Sequence, residues 1–309
     1  MMKTRVVFSI LLVTGHLSVF GSTLINESFS GTDMPSGWIF HGKEGASNTS
    51  ITTGVDKVAS DWIVKENGTN FLRLTEYASY QRTTAIYTNA TFRTDRNFSL
   101  RADIRITCPG NGADGLAFFW LKANTVSNLN ATIGGVGSWL GVPRGSVNGK
   151  DNNLGQAGYY LGLKGYSFEF DHYKNSTNEI SDEYNDLVRL EDWTHFSNAS
   201  IDQSSNTNFF EDCGWQTFQF AYNASNDNFT VSWGFNGSTF SSNVTYSVSG
   251  YEKFDNAYFG IGAGTGGWYS SQDVRNVTLT GTAIPEPATA TLIAFVGGLT
   301  LFIRRRFME

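Results

Sequence analysis

Between Tyr166 and Asn175 the chain reads Tyr-Ser-Phe-Glu-Phe-Asp-His-Tyr-Lys-Asn. Side chains of a β-strand alternate between two faces, so Phe168 and Phe170 point one way and Glu169, Asp171, Tyr173 and Asn175 the other. The aromatic pair is predicted to enter a core, with the oxygen-bearing groups gathered at the opposite face near the end of the strand. Two carboxylates with an amide or carbonyl oxygen suit a hard cation such as Ca²⁺, which takes roughly six to eight oxygens. The same run also reads as an amphipathic strand with a solvated acidic face.

Further strands are predicted at Phe71–Thr75, Thr84–Thr88, Phe98–Ile106, Gly115–Leu121, Trp215–Tyr222, Asn228–Phe235, Ala257–Gly262 and Val274–Thr280. Many are separated by Asn-Gly or Gly-Gly turns, and no window sustains an apolar repeat of helical spacing. Short strands at this spacing bury their apolar faces by stacking two sheets. The expected fold is all-β, a large antiparallel sandwich or jelly roll. No linker or block of like charge divides the central part, which is predicted to be one domain.

The two ends differ from this pattern. A basic start (Lys3, Arg5), an apolar run from Val6 to Phe20 and a small residue at Gly21 predict a secretory signal peptide over residues 1–21. Ile284-Pro285-Glu286-Pro287, an uncharged stretch over Ala288–Ile303 and Arg304-Arg305-Arg306 resemble the PEP-CTERM sorting signal of bacteria, which an exosortase recognises and removes. The stretch of 16 residues is shorter than the ~20 that span a bilayer at ease, and the arginines are held on the cytoplasmic side. Transient membrane association through residues 284–309, followed by release to the cell surface or extracellular matrix, is expected. A permanent anchor is the alternative.

Removing residues 1–21 and 286–309 takes five basic and two acidic residues from 22 and 28, leaving a net charge of −9. Such a surface repels polyanions and lacks the basic patch that phosphate-backbone contacts require, so nucleic acid is excluded as a partner. Cys108 and Cys213 enter an oxidising compartment on export; they form either one disulfide or two buried thiols.

Three stretches in order carry a resemblance: Ala113-Asp114-Gly115-Leu116-Ala117-Phe118-Phe119, Phe168-Glu169-Phe170-Asp171-His172-Tyr173-Lys174-Asn175, and Phe259-Gly260-Ile261-Gly262-Ala263-Gly264-Thr265-Gly266. They resemble the L-type (legume-like) lectins over residues 22–283. The resemblance implies a concanavalin-like jelly roll with a sugar site on loops above one sheet, held by Ca²⁺ and a neighbouring transition ion, often Mn²⁺. It matches Glu169 and Asp171 to the acidic metal ligands, Tyr173 to a backbone-carbonyl donor, Asn175 to a ligand that also reaches the sugar, and His195 to the imidazole ligand. An insertion leaves Asp182, Asp186 and Asp192 as candidates for one further aspartate ligand, of which Asp186, preceded by Asn185, fits best. An imidazole among carboxylates suits a transition ion better than Ca²⁺.

In the same family the aspartate matched by Asp114 follows a cis peptide bond, here Ala113–Asp114, and binds the sugar. An ionised carboxylate accepts two hydroxyl hydrogen bonds from adjacent ring positions, and such charge-assisted bonds are the stronger kind. Gly134-Gly135 resembles a loop whose backbone N–H, at Gly135, meets the ligand. Thr265-Gly266-Gly267-Trp268 resembles the variable specificity loop, with Trp268 or Trp139 placed to stack on a sugar ring.

Glycoside hydrolases of the same shape set the rival expectation. They place E-x-D-x-x-E on one strand, and counted from Glu169 the last position is Lys174. The paired carboxyls of such an enzyme are therefore incomplete, and neither a G-x-S-x-G elbow nor an H-E-x-x-H helix is present. The expected function is an exported, Ca²⁺-dependent carbohydrate-binding protein for surface or extracellular polysaccharide rather than an enzyme. A matrix or adhesion protein of the same fold without sugar binding is the alternative.

Overall fold

The computed structural model describes residues 21–44, 55–57, 62–107, 112–129, 134–143, 163–173, 187–193, 198–202, 214–235, 242–247 and 250–284. Residues 1–20 of the predicted signal peptide, the tail after Ile284, Cys108, Cys213, Lys174, Asn175, Asp182, Asp186 and His195 lie outside these residues.

The strands, in chain order, are β1 (Ser22–Glu27), β2 (Trp38–Glu44), β3 (Val55–Asp56), β4 (Ile63–Glu66), β5 (Thr69–Thr75), β6 (Arg82–Phe92), β7 (Phe98–Thr107) and β8 (Gly115–Lys122). There follow β9 (Gly165–Asp171), β10 (Leu187–Asp192), β11 (Asn198–Asp202), β12 (Gln216–Asn223), β13 (Asn228–Phe235), β14 (Ser242–Ser247), β15 (Ala257–Gly264) and β16 (Ser271–Gly281). They form two antiparallel sheets. The back sheet has the order β14-β13-β12-β7-β16-β5-β4, with β1 also paired to β16, and the front sheet the order β11-β10-β9-β8-β15-β6-β2-β3. This is the jelly-roll sandwich that the spacing of strands predicts, and every predicted segment falls on a strand apart from Trp215, one residue before β12, and His172 and Tyr173, beyond the end of β9.

The alternation explains the packing. On β7, Phe98, Leu100, Ala102, Ile104 and Ile106 all enter the core between the sheets, where they meet Phe118, Phe168, Phe170 and Phe259 of the front sheet. Burying side chains of this size is worth ~1.5–3 kcal/mol each. Asn67 and Gly68, with φ of 49° and 81°, turn β4 into β5, and Glu66 faces Thr69 across the turn. Both central residues with positive φ make the primed two-residue turn whose twist matches that of a hairpin.

β8 departs from simple alternation, and this departure positions the site. Its run Leu116-Ala117-Phe118-Phe119-Trp120-Leu121 is apolar throughout, and a strand apolar on both faces is covered on both. Leu116, Phe118 and Trp120 enter the main core. Ala117, Phe119 and Leu121 enter a second one with Ile86, Leu140, Val142 and Trp193. Segment 134–143 and Trp193 therefore roof the front sheet as a third layer.

The outer face of the back sheet carries charge instead. Arg73 Nε donates to Asp273 Oδ1 at 2.8 Å and Arg105 Nη2 to Asp273 Oδ2 at 2.6 Å. Both guanidiniums also reach Glu66 at 2.9 Å, and Arg105 lies 4.7 Å above the ring of Phe71.

Candidate functional site

β9 separates its residues as the period of 2 requires. Phe168 and Phe170 lie in the main core, while Glu169 and Asp171 face the roofed side and are 0% and 1% exposed. The acidic face is thus covered rather than solvated. Residues two apart on a strand have Cα atoms ~6.6 Å apart, which brings both carboxylates to one place. Ser167 Oγ donates to Glu169 Oε1 and receives Trp193 Nε1–H at 3.0 Å, while the N–H of Tyr173 donates to Asp171 Oδ1 at 3.1 Å. Carboxylates removed from water need compensation by hydrogen bonds, opposite charge or a metal ion. The carboxylate atoms of Glu169 and Asp171 are hard oxygens, the kind of ligand that Ca²⁺ prefers. Among the described residues no cluster of three or more His, Cys, Asp or Glu occurs; Asn175, Asp186 and His195, which the sequence reading adds to the set, lie outside them.

Asp114 precedes β8, directly beside this pair. Gly115 faces Asp171 across the β8–β9 ladder, and the peptide bond Ala113–Asp114 is cis, as the resemblance implies. At Gly115, with φ of 146°, a Cβ would stand 2.0 Å from the carbonyl oxygen of Phe170, so only glycine permits this approach of the two strands. The backbone of Asp114 is held from both sides: its N–H donates to Gly264 O at 3.1 Å, and its carbonyl accepts from His172 N–H at 2.9 Å. Behind it, Ser270 Oγ donates to Ala113 O at 3.0 Å and meets His172 Nε2 at 2.9 Å, and Gln272 Nε2 donates to the same Ser270 oxygen.

The Asp114 carboxylate, 4% exposed, faces two loops that have no side chain at the point of contact. A Cβ on Gly266 would lie 3.2 Å from Oδ2, and one on Gly137 would lie 4.0 Å from both carboxylate oxygens. The two loops are joined, since Gly137 N–H donates to Thr265 O at 3.2 Å. Aspartate, the segment around Gly135 and the Thr265–Gly267 segment, which come from distant parts of the sequence, therefore meet in one place.

Two predicted residues take other roles in the scaffold. Thr265 is fully buried; its hydroxyl donates to Ala78 O and accepts from Gln81 N–H, both at 2.9 Å, which ties this loop to the β5–β6 connection. Trp139 is 7% exposed and lies so close to Gly135 that a Cβ there would stand 2.7 Å from its ring. Of the two tryptophans considered for stacking, Trp268, 54% exposed, is the one open to solvent. Gly266 is partly covered and Gly267 exposed. The sequence reading did not single out Tyr77, Tyr80 or the Ser270–Gln272 pair. The tyrosines reach the 265–270 loop, and the pair reaches the backbone beside Asp114, through the loops that the sheet order brings together, and nothing in their local sequence carries it.

No protein-family model matches the chain, and no curated protein is similar to it in sequence. Solved structures are similar in fold. A lectin from Bauhinia forficata in complex with GalNAc aligns with a TM-score of 0.58 at 16% identity, over 85% of this chain and 99% of that one. The lectin I-B4 of Griffonia simplicifolia, in metal-free form, aligns with a TM-score of 0.57 at 14% identity, over 82% of this chain and 98% of that one. The exoplasmic/lumenal domain of VIP36 in its Ca²⁺/Man2-bound form aligns with a TM-score of 0.51 at 14% identity, over 86% and 90%. The chain has the fold of the L-type lectins.

Proposed function

We propose that this chain is a carbohydrate-binding protein whose sugar site is centred on Asp114 and whose loops are organised by Ca²⁺. The observation that carries the reading is the meeting of the Asp114 carboxylate with Gly137 and Gly266, next to the buried pair Glu169 and Asp171. Glycines against a carboxylate leave room for a polar ligand at the point where its hydroxyls would be accepted. In this reading Asp114 accepts two sugar hydroxyls, backbone at Gly135, Gly266 and Gly267 lines the ring, and Trp268 covers its apolar face. Glu169, Asp171, the carbonyl of Tyr173 and Asn175 hold Ca²⁺; Asp186 and His195 complete a second site for Mn²⁺ or a similar ion. A bound cation supplies fixed positive charge that orients these loops. The similarity in fold to a lectin in complex with GalNAc and to a Ca²⁺/Man2-bound VIP36 domain supports the reading, and the absence of a carboxylate at Lys174 argues against hydrolysis.

A glycan array probed with the exported protein tests it. Binding is expected with Ca²⁺, lost after EDTA and restored by added Ca²⁺; binding unchanged after verified removal of metal overturns the role of the ion, and no binding to any glycan favours a matrix protein without sugar binding. We further propose that the protein is exported, that an exosortase cuts the tail near Pro285-Glu286-Pro287, and that it works at the bacterial surface or in the extracellular matrix. Intact-mass measurement of protein from its native host is expected to show a C-terminus before Ala288. A membrane-bound chain retaining Arg304–Arg306 overturns that.

A further inference from the structure

Among the described residues the exposed large apolar side chains are Tyr77 (48%), Tyr80 (36%) and Trp268 (54%). Most of the described aromatic side chains are buried, and exposed ones gathered at one place mark a candidate interaction site. All three lie on two connections, residues 76–81 between β5 and β6 and residues 265–270 between β15 and β16. The second of these bears directly on Asp114.

The two connections are fastened together. Tyr80 N–H donates to Gly266 O at 3.0 Å, and Thr265 N–H donates to Gln81 O at 2.9 Å. The Thr265 hydroxyl adds its bonds to Ala78 and Gln81. The rings of Tyr77 and Tyr269 meet edge to face with centroids 4.6 Å apart. Tyr80 has φ of 55°, a left-handed conformation unfavourable for a bulky side chain and kept where the surroundings enforce it. Its hydroxyl lies 3.7 Å from where a Cβ of Gly267 would be, while the neighbouring Gly266 faces the Asp114 carboxylate. Consecutive Cα atoms are ~3.8 Å apart, so the Tyr80 hydroxyl and the carboxylate stand against adjacent residues of one loop.

We infer that Tyr77 and Tyr80 form a second subsite contiguous with Asp114, which stacks on the next sugar ring of a chain, so that the ligand is a polysaccharide rather than a single terminal sugar. The inference rests on the sugar-binding reading of Asp114. A tyrosine offers an apolar ring with a polar tip, which suits the C–H face and hydroxyl edge of a pyranose. The backbone of Tyr80 is already held by its bond to Gly266, and the ring of Tyr77 already packs on Tyr269, so less freedom is lost on binding.

Native gels cast with mannan, galactan, dextran or xylan, with Ca²⁺ present, test it on the exported protein. Retardation in at least one gel is expected. Asp114→Asn abolishes it, while Tyr77→Ala and Tyr80→Asn, the latter chosen because asparagine tolerates the left-handed backbone, weaken it by roughly tenfold, equivalent to ~1.4 kcal/mol. Affinity for the monosaccharide of the retarding polymer, measured by titration, stays unchanged in both tyrosine variants. Unaltered retardation of the tyrosine variants overturns the second subsite, and if Asp114→Asn still abolishes binding the primary site stands. Equal loss toward monosaccharide and polymer also overturns it, by placing both rings at the primary sugar. Retardation that survives Asp114→Asn, or none in any gel, overturns the underlying reading together with it.

Discussion

Asp273 on the back sheet and Asp171 on the front sheet are buried alike, 0% and 1% exposed, but in different company. Asp273 sits between two guanidiniums from adjacent strands, which also share Glu66. Its charge is balanced by side chains that arrive with the fold itself. Asp171, with Glu169, lies on the covered outer face of β9, held by hydroxyl and N–H donors, and in the proposed function a cation supplies the positive charge. A charge balanced by arginine is a property of the chain alone. One balanced by an exchangeable ion makes the same stretch of structure depend on what the medium contains.

The largest effect that separates the two is expected at the back sheet. Asp273→Asn leaves two guanidiniums without the buried one of their two shared carboxylates and should cost about 3 kcal/mol, the scale of breaking a buried pair from one side. Urea unfolding measures it, and the loss should be the same with and without EDTA. Next comes metal removal: an ion at one hundred times its dissociation constant stabilises by ~2.7 kcal/mol, so EDTA should lower the melting temperature and Ca²⁺ restore it. A melting curve indifferent to EDTA would mean that the front carboxylates, like Asp273, are neutralised from within the protein. Asp114→Asn is expected to leave melting unchanged and to weaken sugar binding by ~3 kcal/mol or more, since two hydrogen bonds to a charged group are lost at ~1.5–3 kcal/mol each. A variant that binds normally removes Asp114 from the site.

The smallest effect is acid sensitivity of the back-sheet network. Burial pushes the Glu66 carboxyl up, but hydrogen bonds from Arg73 and Arg105 outweigh it and hold the group below its ordinary value of 4.5. A carboxyl depressed in the folded state contributes stability that is complete above its unfolded value and is lost as pH falls through the folded one. The side chain of Glu66 is 39% exposed, so solvent screening keeps the contribution below ~1 kcal/mol. Unfolding curves between pH 6 and pH 3 should fall less steeply for Glu66→Gln than for the native chain.

Much of the architecture was legible because it is written in period 2. The split of Phe168 and Phe170 from Glu169 and Asp171 is visible in ten letters, and the continuous apolar run of β8 marks a strand covered on both faces. Strands such as β1 escaped because an edge strand buries little: of its six residues only Ile25 is buried, so no pattern is imposed on the rest. The site was legible where chemistry is local, as at Asp114-Gly115, whose glycine is required by the carbonyl of Phe170. It was illegible where contact is made across the topology. Thr265 reads as a ligand group on a variable loop, yet its hydroxyl fastens that loop to Ala78 and Gln81, 187 and 184 residues away in sequence. Tyr77 and Tyr80 read as ordinary loop residues until the β15–β6 pairing carries them to the same rim.

β16 has a further consequence for how the domain is oriented in use. It leaves the rim at Ser271 and ends at Gly281, where its partner is Ser22 of β1. At ~3.3 Å per residue its 11 residues carry the chain ~33 Å from the loops around Asp114. The points where the described part of the chain begins and ends thus share one pole of the domain, and the rim occupies the other. If the C-terminal segment holds the protein at a membrane or surface, as proposed above, the rim faces outward, toward whatever approaches.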